Sequence, residues 1–350
     1  MSDVYHSLAA ALDRLPNGYP RTESGIELLI LQKLFSPEEA ALASLLTGEM
    51  QPVQAISSRL GAPEAETRRR LFDLARKGAA RPGKDNRGLL FRLEPFIVGI
   101  YEAQAETIDH ELAHLFEDYM DQGGAKGIMS PLPSLHRVVP TRGSVKTELI
   151  LPYEDVKALF VEAKAFSVRD CICRKEQELL GKRECSAPMH NCLSFSPLPR
   201  SSRPGDISRE EALSILDKAE EAALVHTVSN VMAGVSYVCN CCGCCCAILR
   251  GITEYGLQHS VAAANSRASV DADACTGCGI CLQRCQVGAI QLRDSLAVVD
   301  PERCIGCGLC VTGCRDEAVT LVRVEEAQIV HPPADFAAWE QDRLRNRGLI

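Results

Sequence analysis

The chain has 350 residues and a formal net charge of −8, with 46% hydrophobic and 24% charged residues. These ordinary globular proportions exclude wholesale disorder and collagen-like repeats, and leave room for two or three domains of roughly 150 residues. Met1 to Leu15 carries Asp3, His6 and Asp13 rather than an apolar export core, and no stretch approaches the ~20 apolar residues of a membrane span. A soluble cytoplasmic protein is expected, and its acid excess argues against coating nucleic acid over the whole surface.

Ser36 precedes Pro37, Glu38 and Glu39, which predicts a capped helix running through Ala40 to Leu46. A second helix fits Val53 to Leu60, stopped by Gly61, and a third fits Pro63 to Lys77, stopped by Gly78. The turn-rich run Arg81 to Gly88 then leads into a strand at Leu89 to Leu93. This order resembles a winged helix-turn-helix domain. Between residues 50 and 92, ten bases (Arg or Lys at 59, 68, 69, 70, 76, 77, 81, 84, 87 and 92) face four acids at 64, 66, 73 and 85, a local charge of +6. Contact with DNA is one reading of this face; a solvated protein-docking face is the other.

Phe96 to Met120 is amphipathic and predicts a helical connection to the next domain. Within it, His110, Glu111 and His114 have the HExxH spacing that lets two imidazoles face one zinc. No third ligand follows, so a charged surface helix is the simpler account. From Met129 to Tyr153, Pro and β-branched residues predict loops and short strands, followed by a helix at Glu154 to Ala165 and a strand at Phe166 to Arg169 that enters Cys171-Ile172-Cys173. Ser208 and Glu211 form a capping box for a helix to about Leu224, and Gly234 to Val238 predicts a strand entering Cys239-Asn240-Cys241. A helix followed by a strand ending in C-x-C thus occurs twice, which points to an α+β domain presenting thiolates at strand ends.

The 18 cysteines all lie at or after Cys171. Without an export signal a disulfide framework is disfavoured and metal binding is the better reading. The last eight are the most specific: Cys275, Cys278, Cys281 and Cys285 follow C-x2-C-x2-C-x3-C, and Cys304, Cys307, Cys310 and Cys314 repeat it 29 residues later. Two zinc sites would not need this three-plus-one repeat. Over about Val270 to Val324 the sequence resembles the bacterial-type ferredoxin with two 4Fe-4S clusters. The resemblance implies that Cys275, Cys278 and Cys281 hold one cluster with Cys314, and that Cys304, Cys307 and Cys310 hold the other with Cys285. Where that family has Pro after each fourth cysteine, this chain has Gln286 and Arg315.

Ten cysteines remain, grouped along the chain as Cys171, Cys173, Cys185 and Cys192, then Cys239, Cys241, Cys242, Cys244, Cys245 and Cys246. They offer room for one or two further iron-sulfur clusters or zinc, with a redox-active thiol pair as a third reading. The first four make the more natural single ligand set. Neighbours such as Cys241 and Cys242 do not readily point at one metal, so the second group is expected to divide. His190, two residues before Cys192, reads as a loop histidine before a ligand.

The chain is also similar in general layout to multidomain ferredoxin-type proteins that carry a cysteine-rich domain before the dicluster module. The expected architecture is α+β and multidomain: a winged-helix-like domain (1–95), a helical linker (96–128), a cysteine-rich α+β domain (129–265), a dicluster ferredoxin domain (266–326) and a tail (327–350). No G-x-G-x-x-G or Walker-type loop is present, so neither a nicotinamide site nor nucleotide hydrolysis is signalled. The expected function is electron transfer, as a carrier or as the electron-feeding component of an oxidoreductase, with a redox protein as partner. A DNA-binding regulator responsive to cluster state, and reductive catalysis at the middle cysteines, are the alternatives.

Overall fold

The computed structural model describes residues 2–86, 88–145 and 152–350, which form two compact units. Residues 1–131 and 340–350 make the first unit, and residues 132–339 the second. Among the described residues, no helix is long and apolar enough to cross a membrane.

In the first unit the helix Pro37–Ser44 begins at a complete capping box, in which the Ser36 hydroxyl accepts from the Glu39 amide while the Glu39 carboxylate accepts from the Ser36 amide. A two-residue strand, β1 (Gln51–Pro52), precedes the helix Val53–Leu60, which ends at Gly61 with a left-handed φ of 69°. The helix Glu64–Arg76 follows, then the hairpin β2 (Ala80–Asp85) and β3 (Gly88–Leu93). The three strands form an antiparallel sheet in the order β1-β3-β2.

Residues 96–128, expected as a helical linker, contribute instead to the core of this unit. The run breaks into short pieces before the helix His110–Tyr119, because Ile97, Val98 and Gly99 leave helical φ/ψ. Its apolar side chains form an aromatic cluster in which Phe96 packs on Tyr19, Phe116 and Tyr119 at centroid separations of 4.6, 5.5 and 5.7 Å. The end of the chain belongs here as well. From the helix Phe336–Asn346, the fully buried Arg343 donates to the carbonyls of Pro16 (3.0 Å), Ile128 (2.8 Å) and Pro131 (2.5 Å).

The second unit is built on a seven-stranded sheet in the order β10-β4-β8-β9-β6-β5-β7, comprising β4 (His136–Val139), β5 (Ala165–Asp170), β6 (His190–Ser196), β7 (Asp206–Ile207), β8 (Val225–Ser229), β9 (Tyr237–Cys241) and β10 (Val261–Ala262). Pairing is antiparallel except between β10 and β4. The helix Arg209–Glu221 starts at the Ser208/Glu211 capping box and packs on this sheet. The C-terminal part pairs β11 (Ser266–Val270) with β14 (Val319–Arg323), and β12 (Ile290–Arg293) with β13 (Leu296–Val299). Between these strands lie two short helices, Ile280–Arg284 and Leu309–Thr312, each entered through a glycine of left-handed φ.

Replacing Arg343 with Met leaves three buried carbonyls without a donor, and should lower stability by roughly 2–4 kcal/mol. Denaturant titration of the full chain measures this, and a change below about 0.5 kcal/mol would show that the arginine does not hold the terminal helix.

Candidate metal centres

The C-terminal repeat folds into two related loops. The amides of Cys275 and Cys304 each donate at 3.0 Å to the carbonyl four residues earlier, of Asp271 and Asp300. Gly277 and Gly306 hold equivalent places, both left-handed, and a Cβ there would lie 2.1 Å from the Ser295 carbonyl or 2.2 Å from that of Ser266. Only glycine fits so close a backbone crossing. Cys275, Cys278, Cys281 and Cys314 line one pocket, which brings the last cysteine of the second motif to the first three of the first motif. Cys285 approaches the other three: burial and the charges of Cys310, Cys285 and Cys304 push the Cys307 thiol up, and burial with the charges of Cys304 and Cys285 pushes Cys310 up to about 12. Eight thiols in two crossed sets of four are the donors that a pair of 4Fe-4S clusters requires.

Residues 267–315 match the family model for a 4Fe-4S dicluster domain. This segment is a ferredoxin-like iron-sulfur module. Searches of curated proteins and of solved structures gave no match to the chain. The ten middle cysteines therefore have to be understood from their own geometry.

The structure regroups those ten. Side chains alternate along a strand, so Cys239 and Cys241 share one face of β9. The register that sets Leu193 opposite Val238 puts Cys192 of β6 beside Cys239. At the end of β5, Cys171 and Cys173 open the helix Ile172–Leu179, and Cys246 opens the helix Ala247–Thr253. Electrostatic coupling between neighbouring thiols then links six of them in a ring: Cys171 with Cys173, Cys173 with Cys246, Cys246 with Cys241, Cys241 with Cys239, Cys239 with Cys192, and Cys192 with Cys171. Hydrogen bonds from Cys173 and Cys192 hold Cys171 well below the usual thiol range, and those from Cys173 and Cys241 do the same for Cys246.

The other four, Cys185, Cys242, Cys244 and Cys245, form a separate group whose sulfurs all lie within 4.8 Å of one another. The expectation that Cys171, Cys173, Cys185 and Cys192 make one set is thus corrected, because Cys185 faces the turn after β9 while the other three face the strand. The second group divides, with Cys239, Cys241 and Cys246 in the ring and Cys242, Cys244 and Cys245 in the four-sulfur group. That turn wraps tightly, with the Cys246 amide donating to the Cys242 carbonyl at 3.1 Å.

Sequence reasoning passed over the cation between the two groups. Arg174, in the CICR segment, is fully buried, and its guanidinium donates to Asn191 Oδ1 (2.7 Å), the Asn240 carbonyl (2.7 Å) and the Pro188 carbonyl (3.1 Å). Burial alone would favour losing its proton, but the charges of Cys171, Cys242 and Cys241 raise its pKa instead. Beside the ring, the Tyr237 hydroxyl meets His136 Nε2 at 2.8 Å, and Thr227 Oγ1 lies 3.5 Å from Cys241 Sγ. Burial pushes His136 down to about 4, so its ring is neutral at pH 7.

The remaining candidates are ordinary surface groups. His110, Glu111 and His114 are exposed, and Glu111 pairs with Lys33. His190 is exposed and pairs with Asp170 at 2.8 Å. Of the ten bases in the N-terminal patch, Arg87 lies outside the described residues. Arg70, Arg76, Lys77, Arg81 and Arg92 pair with Glu66, Asp73, Glu39 and Glu94, of which only Glu39 and Glu94 lie outside the counted window, so the local charge falls from +6 to +4.

Arg174→Met removes the cation that faces sulfurs of both groups. Metal bound by the middle cysteines should fall while the ferredoxin module keeps its iron, read as iron, zinc and sulfide per chain on protein purified without oxygen. Arg174→Lys keeps the charge but not the planar fork, so it should not restore the wild-type content. Unchanged loading in both variants would rule this role out.

Proposed function

We propose that the protein is an intramolecular electron conduit, in which single electrons taken up by the ferredoxin module pass to centres built from the ten middle cysteines. The observation that carries this reading is the join between the two parts. The Gly243 amide, between Cys242 and Cys244, donates to Gln286 Oε1 at 2.8 Å, and Gln286 directly follows Cys285. A Cβ on Gly243 would stand 2.1 Å from the Gln286 carbonyl, so the two backbones touch at a position open only to glycine. The usual Pro at position 286 has no side-chain acceptor, and Gln286 supplies one.

Further contacts support the same docking. The Thr141 amide donates to the Cys307 carbonyl at 2.9 Å, and Arg284 donates to the carbonyls of Glu220 (2.7 Å) and Glu221 (3.2 Å). These contacts flank the set Cys285, Cys304, Cys307 and Cys310. On the other side Cys278, of the set with Cys275, Cys281 and Cys314, is exposed. The sets therefore fall into an order: an outer one open to a redox partner protein, an inner one against the sheet, the Cys185/Cys242/Cys244/Cys245 group, and the six-thiol ring beyond Arg174. When bound, 4Fe-4S clusters supply one-electron storage at potentials tuned by charge and hydrogen bonding. The chain's part is to hold the donors in sequence and keep the inner ones out of water.

The helix, strand, two helices and hairpin of residues 37–93 follow the order of a winged helix, and we read this part as a protein-docking module, since five of its ten bases pair with acids within the unit.

Rapid mixing with a low-potential ferredoxin should give two phases: a bimolecular reduction of the dicluster module, then a slower step whose rate does not depend on protein concentration. Gly243→Val should slow the second phase and leave the first unchanged. A single phase, or a second one that scales with concentration, would exclude internal transfer.

A further inference from the structure

The four sulfurs of Cys185, Cys242, Cys244 and Cys245 are closer together than a cluster allows. Cys185 Sγ lies 3.6 Å from Cys242 Sγ and 4.0 Å from Cys245 Sγ, and Cys244 Sγ lies 3.4 Å from Cys245 Sγ. Four thiolates held about 2.3 Å from one tetrahedral ion stand about 3.8 Å from each other. On a 4Fe-4S cube each thiolate binds a different corner iron, which drives the sulfurs well beyond that separation, to roughly 6 Å.

We infer that Cys185, Cys242, Cys244 and Cys245 hold a single tetrahedral metal ion, zinc or iron, and not a sulfide-bridged cluster. The surroundings fit such a centre. Cys242 and Cys245 are buried against Ala187, Ala219 and Leu224, with Cys185 and Cys244 half-buried at the edge of this apolar shell, and four thiolates fill a tetrahedral coordination sphere. A divalent ion with four thiolates carries −2, and two guanidinium groups face it. Arg174 lies against Cys242, while Arg183 donates to the carbonyls of Cys185 (3.0 Å) and Ala187 (2.6 Å). Cys242, Cys244 and Cys245 lie on one turn around Gly243, so three of the four ligands come from that turn and the fourth from the loop after the helix Ile172–Leu179. Zinc makes the centre a fixed structural post under the ferredoxin module; iron makes it a one-electron relay. The inference stands on the donor set alone and survives if the electron path proposed above fails.

The test compares full-length wild type with Cys185→Ala and Cys244→Ala, all purified without oxygen, for iron, zinc and acid-labile sulfide. Each variant should lose one metal ion per chain and no sulfide, with the EPR signals of the reduced ferredoxin module retained. If the variants fold poorly, X-ray absorption on wild type decides. A zinc ion in four-sulfur coordination with no metal neighbour, or an iron whose Mössbauer spectrum stands apart from sulfide-bridged iron, supports the inference and tells the two metals apart. Loss of about four irons with four sulfides would overturn it, as would a wild-type protein in which these cysteines carry no metal or form disulfides.

Discussion

Ten sulfurs gathered inside one α+β unit cannot all be thiolates without a compensating charge, and Arg174 is the buried cation placed to meet that demand. Its guanidinium feels the charges of Cys171, Cys242 and Cys241, while Asn191 and the backbone of Pro188 and Asn240 accept its hydrogen bonds. A buried arginine is costly unless anions and acceptors surround it, and buried thiolates are costly without a cation. The helix Ile172–Leu179, the β6–β9 pairing and the turn after β9 converge on this one point. Arg183 does comparable work at the rim, where it ties the loop carrying Cys185 to Ala187.

The ferredoxin module is fastened to this centre by backbone contacts, which leave little freedom for sliding. Gly243 against Gln286, Thr141 against Cys307, and Gly308 against Ser144, whose hydroxyl would stand 2.1 Å from a Cβ at that glycine, all fall around the inner cysteine set. In the electron path proposed above, such a join would hold the transfer distance constant, and the exposed Cys278 of the outer set would be where a partner protein docks.

In the first unit, part of the basic window is paired with acids by the fold. A local +6 reads as a phosphate-binding face, yet the folded chain sets Arg81 and Arg92 on Glu94, Arg76 on Asp73 and Lys77 on Glu39. Asp73 and Glu94 are near neighbours of Arg76 and Arg92 along the chain, whereas Glu39 lies 38 residues from Lys77 and meets it only through the fold. The aromatic core of Tyr19, Phe96, Phe116 and Tyr119 likewise joins segments about a hundred residues apart.

The sequence by itself determined what depends on nearby residues: the capping boxes at Ser36 and Ser208, the glycine stops, the alternation of helix and strand before each C-x-C, and the repeated ferredoxin motif, whose spacing is itself the ligand geometry. Linear spacing also suggested Cys171, Cys173, Cys185 and Cys192 as a set, and there it misled. Which sulfurs meet depends on the register of β6 against β9, the alternation of faces along β9, and a turn that rotates Cys242, Cys244 and Cys245 away from Cys239 and Cys241. Those are relations between strands and turns distant in the chain, so the six-thiol ring, the four-thiol group and the arginine between them were decided only by tertiary structure.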